Sequence, residues 1–391
     1  MGNFCANGAQ WLQLLSVGWL VQELTEGSSS LALLVITVQA VNTLPSLVVS
    51  PWSGVLGDRV DRRKLVMGIQ LFMAAVAFSF ALLVLTEWVQ VWHAYAYIWI
   101  SGVCRSMIQP LRQALIANTV PREALGNALA TNVLTITSTR LIGPFVGGIL
   151  IATLGFFWNF AVEGLLYLGM VLAYLPMRTP YYRPRAAASR KSFLSDLKEG
   201  IQYIWTGERV ILQLMLLSLI PNVVLHPVWF MFPIFTVEVL QRGPDVGGYL
   251  LAVTGLGGLL AALTIASVGF VFKKGRLVLG AVIMSGVTVV LFAQAQWLLL
   301  AMLVIGSMAF FQSAFRTTNS TLIQTLVPDE LRSRVTSLQG IGRGLVLFTS
   351  LLIGWFVDVT SVTFGITVVG LTGLGLGIGM LLILGRVRRL E

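Results

Sequence analysis

The sequence predicts an all-α integral membrane protein in which twelve transmembrane helices form two related six-helix bundles. Hydrophobic residues make up 56% of the 391 residues, and charged residues make up only 11%. A soluble domain carries about 25% charged residues, so this chain cannot cover its own surface in water. Apolar stretches recur at the length that crosses a bilayer, and basic residues occupy alternate connections between them.

Twelve apolar stretches approach or exceed the length of about 20 residues that crosses the hydrocarbon core. The predicted spans are 4–22, 31–56, 65–86, 91–118, 124–153, 156–177, 209–238, 246–271, 276–296, 297–326, 333–357 and 361–385. The first span is short, because its apolar character begins only near Trp11. The sequence therefore predicts a truncated first helix, through either a misplaced start codon or a real truncation.

Basic residues distinguish the two faces of the predicted membrane protein. With a cytoplasmic N-terminus, the only basic residue in an outer connection is Arg242. The inner connections hold Arg59, Arg62, Arg63, Lys64, Arg122, the cluster at 178–198, Lys273, Lys274, Arg276, Arg332, Arg334 and the tail at 386–389. The positive-inside rule therefore predicts that both termini are cytoplasmic. The net charge of +10 is then a property of the loops, and no nucleic-acid partner is expected.

The long polar stretch at 178–208 divides the chain. We expect an N-terminal six-helix bundle at 1–177, a cytoplasmic basic linker at 178–208 and a C-terminal six-helix bundle at 209–391. The linker contains either an amphipathic helix on the inner membrane face or a disordered tether held near anionic lipid. Pro121 and Glu123 after the fourth span match Pro328 and Glu330 after the tenth, which indicates an internal duplication.

The connection Gly54–Lys64 reads G-V-L-G-D-R-V-D-R-R-K. It resembles the signature loop between helices 2 and 3 of major facilitator superfamily transporters, although Asp61 stands where the commonest pattern has glycine. The resemblance implies that Asp58 accepts hydrogen bonds from the start of the eleventh helix and latches the two halves together on the inside. The residues of this implied latch are Gly54, Gly57, Asp58, Arg59, Arg62 and Arg63. The alternative is a topology loop whose basic residues only hold it in the cytoplasm.

The fifth span contains a glycine motif, Gly143, Pro144, Gly147 and Gly148. Small residues at this spacing allow another helix to approach closely. The motif resembles the core of the one found in the antiporter branch of the superfamily, with Thr139 in place of a further glycine, and ordinary close packing is the alternative. The stretch from Pro110 to Ala130 resembles the helix 4–5 hairpin of the enterobactin-exporter and macrolide-efflux group, which implies a bacterial inner (plasma) membrane protein.

Polar residues within the spans are the candidates for contact with cargo. By resemblance to the fold, spans 1, 4, 7 and 10 line a central cavity, with spans 2, 5, 8 and 11 beside them. The candidate cavity residues are Arg105, Gln109, Arg140, Asn222, His226, Gln312, Arg316 and Arg343. Glu163 and His226 are the candidate proton sites. For Glu163 the alternative is pairing with Arg140 or snorkelling outward, and for His226 it is a satisfied cavity histidine.

The sequence offers no hydrolytic chemistry. It has no phosphate-binding G-x-x-x-x-G-K-[ST] loop, no Ser/His/Asp constellation, and only two cysteines, so we expect neither an enzyme nor a cofactor or metal. The function predicted is a proton-coupled exporter of small, largely apolar organic molecules, monomeric in the lipid bilayer, whose partners are the substrate and protons. The alternatives are an uptake permease or lysophospholipid flippase of the same fold, or a non-transporting membrane assembly subunit.

Overall fold

The computed structural model describes residues 1–46, 49, 61–177, 209–268, 273–327, 335 and 345–388. Within these ranges the chain forms helices and short connections, with no strand. The predicted linker at 178–208 lies outside the described residues. The chain divides into two compact units, Met1–Arg190 with Arg242–Ala252, and Lys191–Gln241 with Val253–Glu391.

Six long helical segments build most of the first unit. They are α1 (Gly2–Leu24), α2 (Leu31–Val41), α3 (Arg62–Leu85), α4 (Val91–Thr119), α5 (Leu125–Leu154) and α6 (Phe156–Tyr174). The core of this unit forms where α1 packs against α5 and α6, and where α3 packs along α6. A fully buried phenylalanine, Phe160, lies in this core.

The second unit contains a helix that is broken in its middle. The helices from residue 209 onward are α7 (Arg209–Leu219), α8 (Phe232–Glu238), α9 (Pro244–Val268), α10 (Lys274–Ala293), α11 (Leu298–Leu326), α12 (Val346–Val359), α13 (Val362–Ile383) and α14 (Gly385–Arg388). A π-helical turn and a 3-10 turn connect α7 to α8. The first turns of α9 group with the first unit rather than with the second.

Each predicted span contains a helix or a run of helical segments in the described residues, and spans 31–56 and 333–357 are described only in part. Eight of these segments are both long and apolar enough to cross a membrane. Two more, α2 and α12, are apolar but shorter within the described part of the chain. The remaining two, α1 and α4, are long enough but carry buried polar side chains, which lowers their mean hydropathy.

The first helix extends beyond the apolar run from which the sequence predicts a short span, and the truncation stays a prediction. It begins at Gly2 and contains 23 residues, which corresponds to about 34 Å. Its polar residues Asn7, Gln13 and Ser16 are buried against neighbouring helices. An apolar run is therefore a poor measure of length for a helix that faces protein rather than lipid.

Among the described residues, Trp99 is exposed within α4, and five more exposed tryptophans lie at helix ends near one set of connections. The exposed fractions of these five range from 51% to 77%. They lie beside the α3–α4, α5–α6, α10–α11 and α12–α13 connections, at Trp88, Trp92, Trp158, Trp297 and Trp355. Tryptophan favours the membrane–water interface, so these side chains fit anchors at the level of the lipid headgroups.

Candidate functional site

The end of the signature loop joins α3 to α6. Asp61 caps α3, because its Oδ1 accepts hydrogen bonds from the backbone amides of Arg63 at 2.9 Å and Lys64 at 3.2 Å. The guanidinium of Arg63 donates to the carbonyl oxygens of Tyr174, at 2.8 Å, and Leu175. These carbonyls end α6, where a cation is favoured by the helix dipole. Gly54, Gly57, Asp58 and Arg59 lie outside the described residues, so the latch stays a prediction.

The glycine motif of α5 is a site of close helix approach on two sides. A methyl group built on Gly143 would lie 2.6 Å from Trp11 Cβ of α1. One built on Gly148 would lie 2.8 Å from the carbonyl oxygen of Pro244 and 2.9 Å from Gly248 Cα of α9. Real Cβ atoms do not occupy such positions, so the glycines allow α1 and the start of α9 to reach the backbone of α5.

Asn159 holds three helices together beside this motif. Its Nδ2 donates to the carbonyl oxygen of Gly147 in α5 at 2.9 Å, and its Oδ1 accepts from Ser16 Oγ of α1 at 2.5 Å. Asn159 itself belongs to α6 and is fully buried. A buried amide must be hydrogen-bonded, and here the bonding partners fix where α5 lies. The sequence carried no sign of this contact, because Ser16 and Asn159 are far apart in the chain.

Glu163 lies in the core of the first unit, with an exposed fraction of 0%. Tyr97 of α4 donates a hydrogen bond from its hydroxyl to Glu163 Oε1 at 2.6 Å. The Tyr97 ring stacks on Phe80 of α3, with 4.4 Å between ring centroids. One turn further along α4, Ser101 Oγ donates to Gln13 Oε1 of α1 at 2.6 Å. The carboxyl group is therefore enclosed by aromatic and amide groups, and the snorkelling alternative is wrong.

Prolines interrupt the helix between α7 and α8. Pro221, Pro227 and Pro233 stand six residues apart, and each lacks the amide hydrogen that would bond one turn back. Pro227 would otherwise donate to the carbonyl oxygen of Val223. Instead, Thr349 Oγ1 of α12 donates to that oxygen at 2.9 Å. The break is therefore built into the fold, with a partner that satisfies the freed carbonyl.

We expect Thr349→Val to destabilise the broken helix. The substitution keeps the shape of the side chain but leaves the Val223 carbonyl oxygen without its donor, which costs about 1–3 kcal/mol. Thermal unfolding of the purified protein in detergent measures the loss. Thr349→Ser, which retains the hydroxyl, should unfold near the wild-type temperature. Equal destabilisation by valine and serine would contradict the assigned role.

The candidate cavity residues differ in how far they are exposed to solvent. Arg105, Gln109 and Arg316 are exposed, Arg140, Asn222 and His226 are partly buried, and Gln312 is buried. Arg343 lies outside the described residues. In the first unit, the Arg140 guanidinium lies 5.7 Å from the centroid of the Trp11 ring, within the range of a cation–π contact.

Two candidate residues of the second unit contact aromatic rings next to the broken helix. Trp229 Nε1 donates to Gln312 Oε1 at 3.2 Å, which joins the break to α11. The His226 ring meets Phe230 edge to face, with 5.1 Å between centroids. Asn222 Nδ2 donates to the carbonyl oxygen of Ser218 at 2.9 Å, within its own helical run. Trp229 was missed in the sequence, where the three prolines could have drawn attention to this segment.

A buried arginine forms a polar cluster that sequence reasoning also missed. Arg112 of α4 has an exposed fraction of 4%. Its Nε donates to Asn3 Oδ1 and its Nη2 donates to Asn7 Oδ1, both at 3.0 Å. The Tyr174 hydroxyl donates to the same Asn3 oxygen at 2.9 Å, and Asn3 Nδ2 donates to Asn132 Oδ1 at 3.0 Å. The cluster ties the start of α1 to α4, α5 and α6.

Arg112→Ala should lower the free energy of unfolding by about 2–3 kcal/mol, because hydrogen bonds to a charged group are lost and the buried Asn7 amide oxygen is left without its donor. Arg112→Lys should recover little of this loss, since an ammonium cannot present the planar fork that reaches both asparagines. Gln113→Ala, at the exposed neighbouring position, is the matched control. Denaturation followed by circular dichroism compares the variants, and full stability of the lysine variant would refute the fork assignment.

The sequence profile of a family described as transmembrane secretion effector matches residues 1–390, which is almost the whole chain. The chain belongs to this family of the major facilitator superfamily. Members are transporters and not enzymes. The family assignment confirms the predicted membership of the major facilitator superfamily.

Two curated relatives show the kinds of protein to which this transporter is similar. The staphyloferrin A transporter of Staphylococcus aureus is 21% identical over 371 residues, covering 93% of this chain and 89% of the relative. The enterobactin exporter of Citrobacter koseri is 26% identical over 349 residues, covering 86% and 80%. The predicted exporter group is thereby confirmed as the neighbourhood of this chain.

The fold matches that of solved transporters. A crystal structure of a POT family transporter in complex with a thioalcohol-conjugated peptide superposes with a TM-score of 0.78. It covers 99% of this chain and 96% of the other, at 8% sequence identity. The predicted major-facilitator fold is therefore confirmed, and the protein is a multi-pass membrane transporter.

Proposed function

We propose that this transporter is a proton-coupled exporter of small, largely apolar organic molecules, of the siderophore or drug class, that works by alternating access. The observation that carries the proposal is Glu163, the one fully buried carboxyl group among the described residues, within a transporter whose relatives include a siderophore exporter. The glycine face of α5 supports it, because the motif implies the antiporter branch of the superfamily.

Glu163 is proposed as the group that binds and releases the proton. Coupling to a proton gradient needs a titratable side chain inside the protein, and a carboxyl group held by Tyr97 meets that need. Hydrogen bonding from Tyr97 fixes the orientation of the carboxyl, and Gln13 with Ser101 extends the polar contacts from α4 to α1. His226 is the second candidate, in the broken helix of the other unit.

The proposed transport cycle uses the two sequence halves. The bundles at 1–177 and 209–391 would rock about the substrate, with the basic linker at 178–208 and both termini in the cytoplasm of a bacterium. Asp58 would latch the inner side, supported by Gly54, Gly57, Arg59 and Arg62.

The candidate cargo contacts carry positive charge and amide groups. Among the charged residues predicted within the spans, Arg105, Arg140, Arg316 and Arg343 outnumber Glu163, so a cargo with an anionic group, as siderophores have, fits them better than a cationic one. Gln109, Asn222 and Gln312 would supply hydrogen bonds to oxygen and nitrogen atoms of the cargo. Monomers would suffice, because each chain holds both halves.

A panel of toxic compounds and siderophores tests the proposal in cells that lack their own exporters. Expression of the transporter should raise resistance to some compounds or secretion of a siderophore. Asp58→Ala should remove most of the effect, whereas Asp61→Asn, which keeps a capping oxygen on α3, should not. Greater sensitivity on expression would indicate an uptake permease, and unchanged export by Asp58→Ala would refute the latch.

A further inference from the structure

A groove of about 510 Å³ lies between α3 and α4 on the first unit. Lys64, Gly68 and Phe72 line one wall at intervals of four residues, so they share one face of α3. Val103 and Met107 share a face of α4 and line the other wall. Apart from the lysine at one end, the lining is apolar. The groove therefore has a cationic end and an apolar body about 12 Å long.

Gly68 is the reason that the groove is open. A methyl group built on Gly68 would meet nothing within 4 Å, whereas one built on Gly148 or Gly286 would lie within 3 Å of the backbone of another helix. The glycine is exposed in the second turn of α3, where it lowers helix stability by about 1 kcal/mol relative to alanine. Neither helix packing nor a turn requires it. Its effect is to leave room between Lys64 and the exposed Phe72 ring.

We propose that this groove binds one acyl chain of an anionic phospholipid, with the lipid phosphate at Lys64. The apolar body of the groove and the lysine at its end together identify this occupant. An open apolar groove on a membrane protein is filled by the surrounding solvent, which is lipid, and an exposed ammonium group at its mouth attracts a phosphate.

The charges around Lys64 agree with an anionic headgroup. Arg62 lies beside it, while the Arg63 guanidinium is committed to the carbonyl oxygens that end α6. Asp61 is the nearby carboxylate, and its Oδ1 is occupied by two backbone amides of α3. Among the described residues around Lys64, the charge balance is therefore positive. The start of α3 is also the end for which the sequence predicts contact with the inner leaflet, which carries anionic lipid.

Native mass spectrometry of the purified transporter tests the proposal. The protein is exchanged into detergent that contains equal amounts of phosphatidylglycerol and phosphatidylcholine, and the lipids retained per chain are counted. Wild type should retain one phosphatidylglycerol with about fivefold preference over phosphatidylcholine, the effect of one lysine near a lipid surface. Lys64→Gln should remove the preference but keep a bound lipid. Gly68→Leu should fill the groove and lose that lipid.

Matched variants in the second unit control for general effects. Gly280 is an exposed helical glycine with open space around it, and Lys274 lies in the first turn of α10 as Lys64 lies in the first turn of α3. Gly280→Leu and Lys274→Gln should retain lipid as wild type does. Unchanged retention in Gly68→Leu, or an unchanged preference in Lys64→Gln, would overturn the proposal. Displacement by a neutral exported compound would also overturn it. The protein can retain a lipid without transporting any cargo, so this experiment can fail or succeed independently of the export proposal.

Discussion

Glu163→Gln is expected to abolish uphill export while it leaves downhill exchange of cargo intact. Glutamine has nearly the shape of glutamate, and its Oε1 can accept the hydrogen bond that Tyr97 donates at 2.6 Å. It cannot bind and release a proton. In reconstituted vesicles with a proton gradient, accumulation of cargo by the variant should therefore fall to the level seen with a protonophore. Exchange of labelled for unlabelled cargo should continue near the wild-type rate.

The matched control is Glu23→Gln, which changes a carboxylate at the exposed end of α1. It should accumulate cargo as wild type does. Tyr97→Phe distinguishes the role of the Glu163 carboxyl group from that of the hydrogen bond it accepts. This variant removes the Tyr97 hydroxyl and keeps the ring that stacks on Phe80. If Glu163→Gln accumulates cargo as fully as wild type in a proton gradient, Glu163 is excluded as the coupling group. His226 would then be the remaining candidate proton site.

Gly148→Leu is expected to destabilise the fold strongly and to stop transport. The atoms that a side chain would meet are the Pro244 carbonyl oxygen and Gly248 Cα, at 2.8 and 2.9 Å. These are backbone atoms, so no rotamer change can make room, and the start of α9 must move away from α5. Overpacking of this kind costs about 1–3 kcal/mol or more. Thermal unfolding and export activity measure the two consequences.

A graded series isolates the close approach. Gly148→Ala adds only the methyl group that already meets the backbone, and should show a smaller loss of stability than leucine. Gly126→Ala is the control on the same helix, where a methyl group meets nothing within 4 Å. It should raise stability by up to about 1 kcal/mol, because alanine favours helix more than glycine does. Equal behaviour of the two alanine variants would show that α5 and α9 are less closely packed than the structure shows.

The sequence was sufficient for the features that depend on local composition. Apolar runs located the helical spans within the described residues, and the Gly143–Gly148 spacing identified a helix face that is in close contact. These signals depend on residues near one another in the chain, so a single sequence contains them.

The contacts that place the candidate groups could not be predicted. Tyr97 meets Glu163, and Thr349 meets Val223, across long separations in the chain. Polar residues in α1 were interpreted as a sign of a shortened span, because burial against other helices is invisible before the helices are assembled. Arg112 looked like part of a family motif and proved to be the centre of a hydrogen-bonded cluster.

Transport by inside-out membrane vesicles tests the central claim most directly. In these vesicles the cytoplasmic face points outward, so an exporter driven by protons should accumulate cargo when the lumen is acidified. We predict accumulation that requires no ATP and disappears when a protonophore is added. Accumulation that persists without a gradient, or cargo that leaves acid-loaded vesicles instead of entering them, would contradict proton-coupled export.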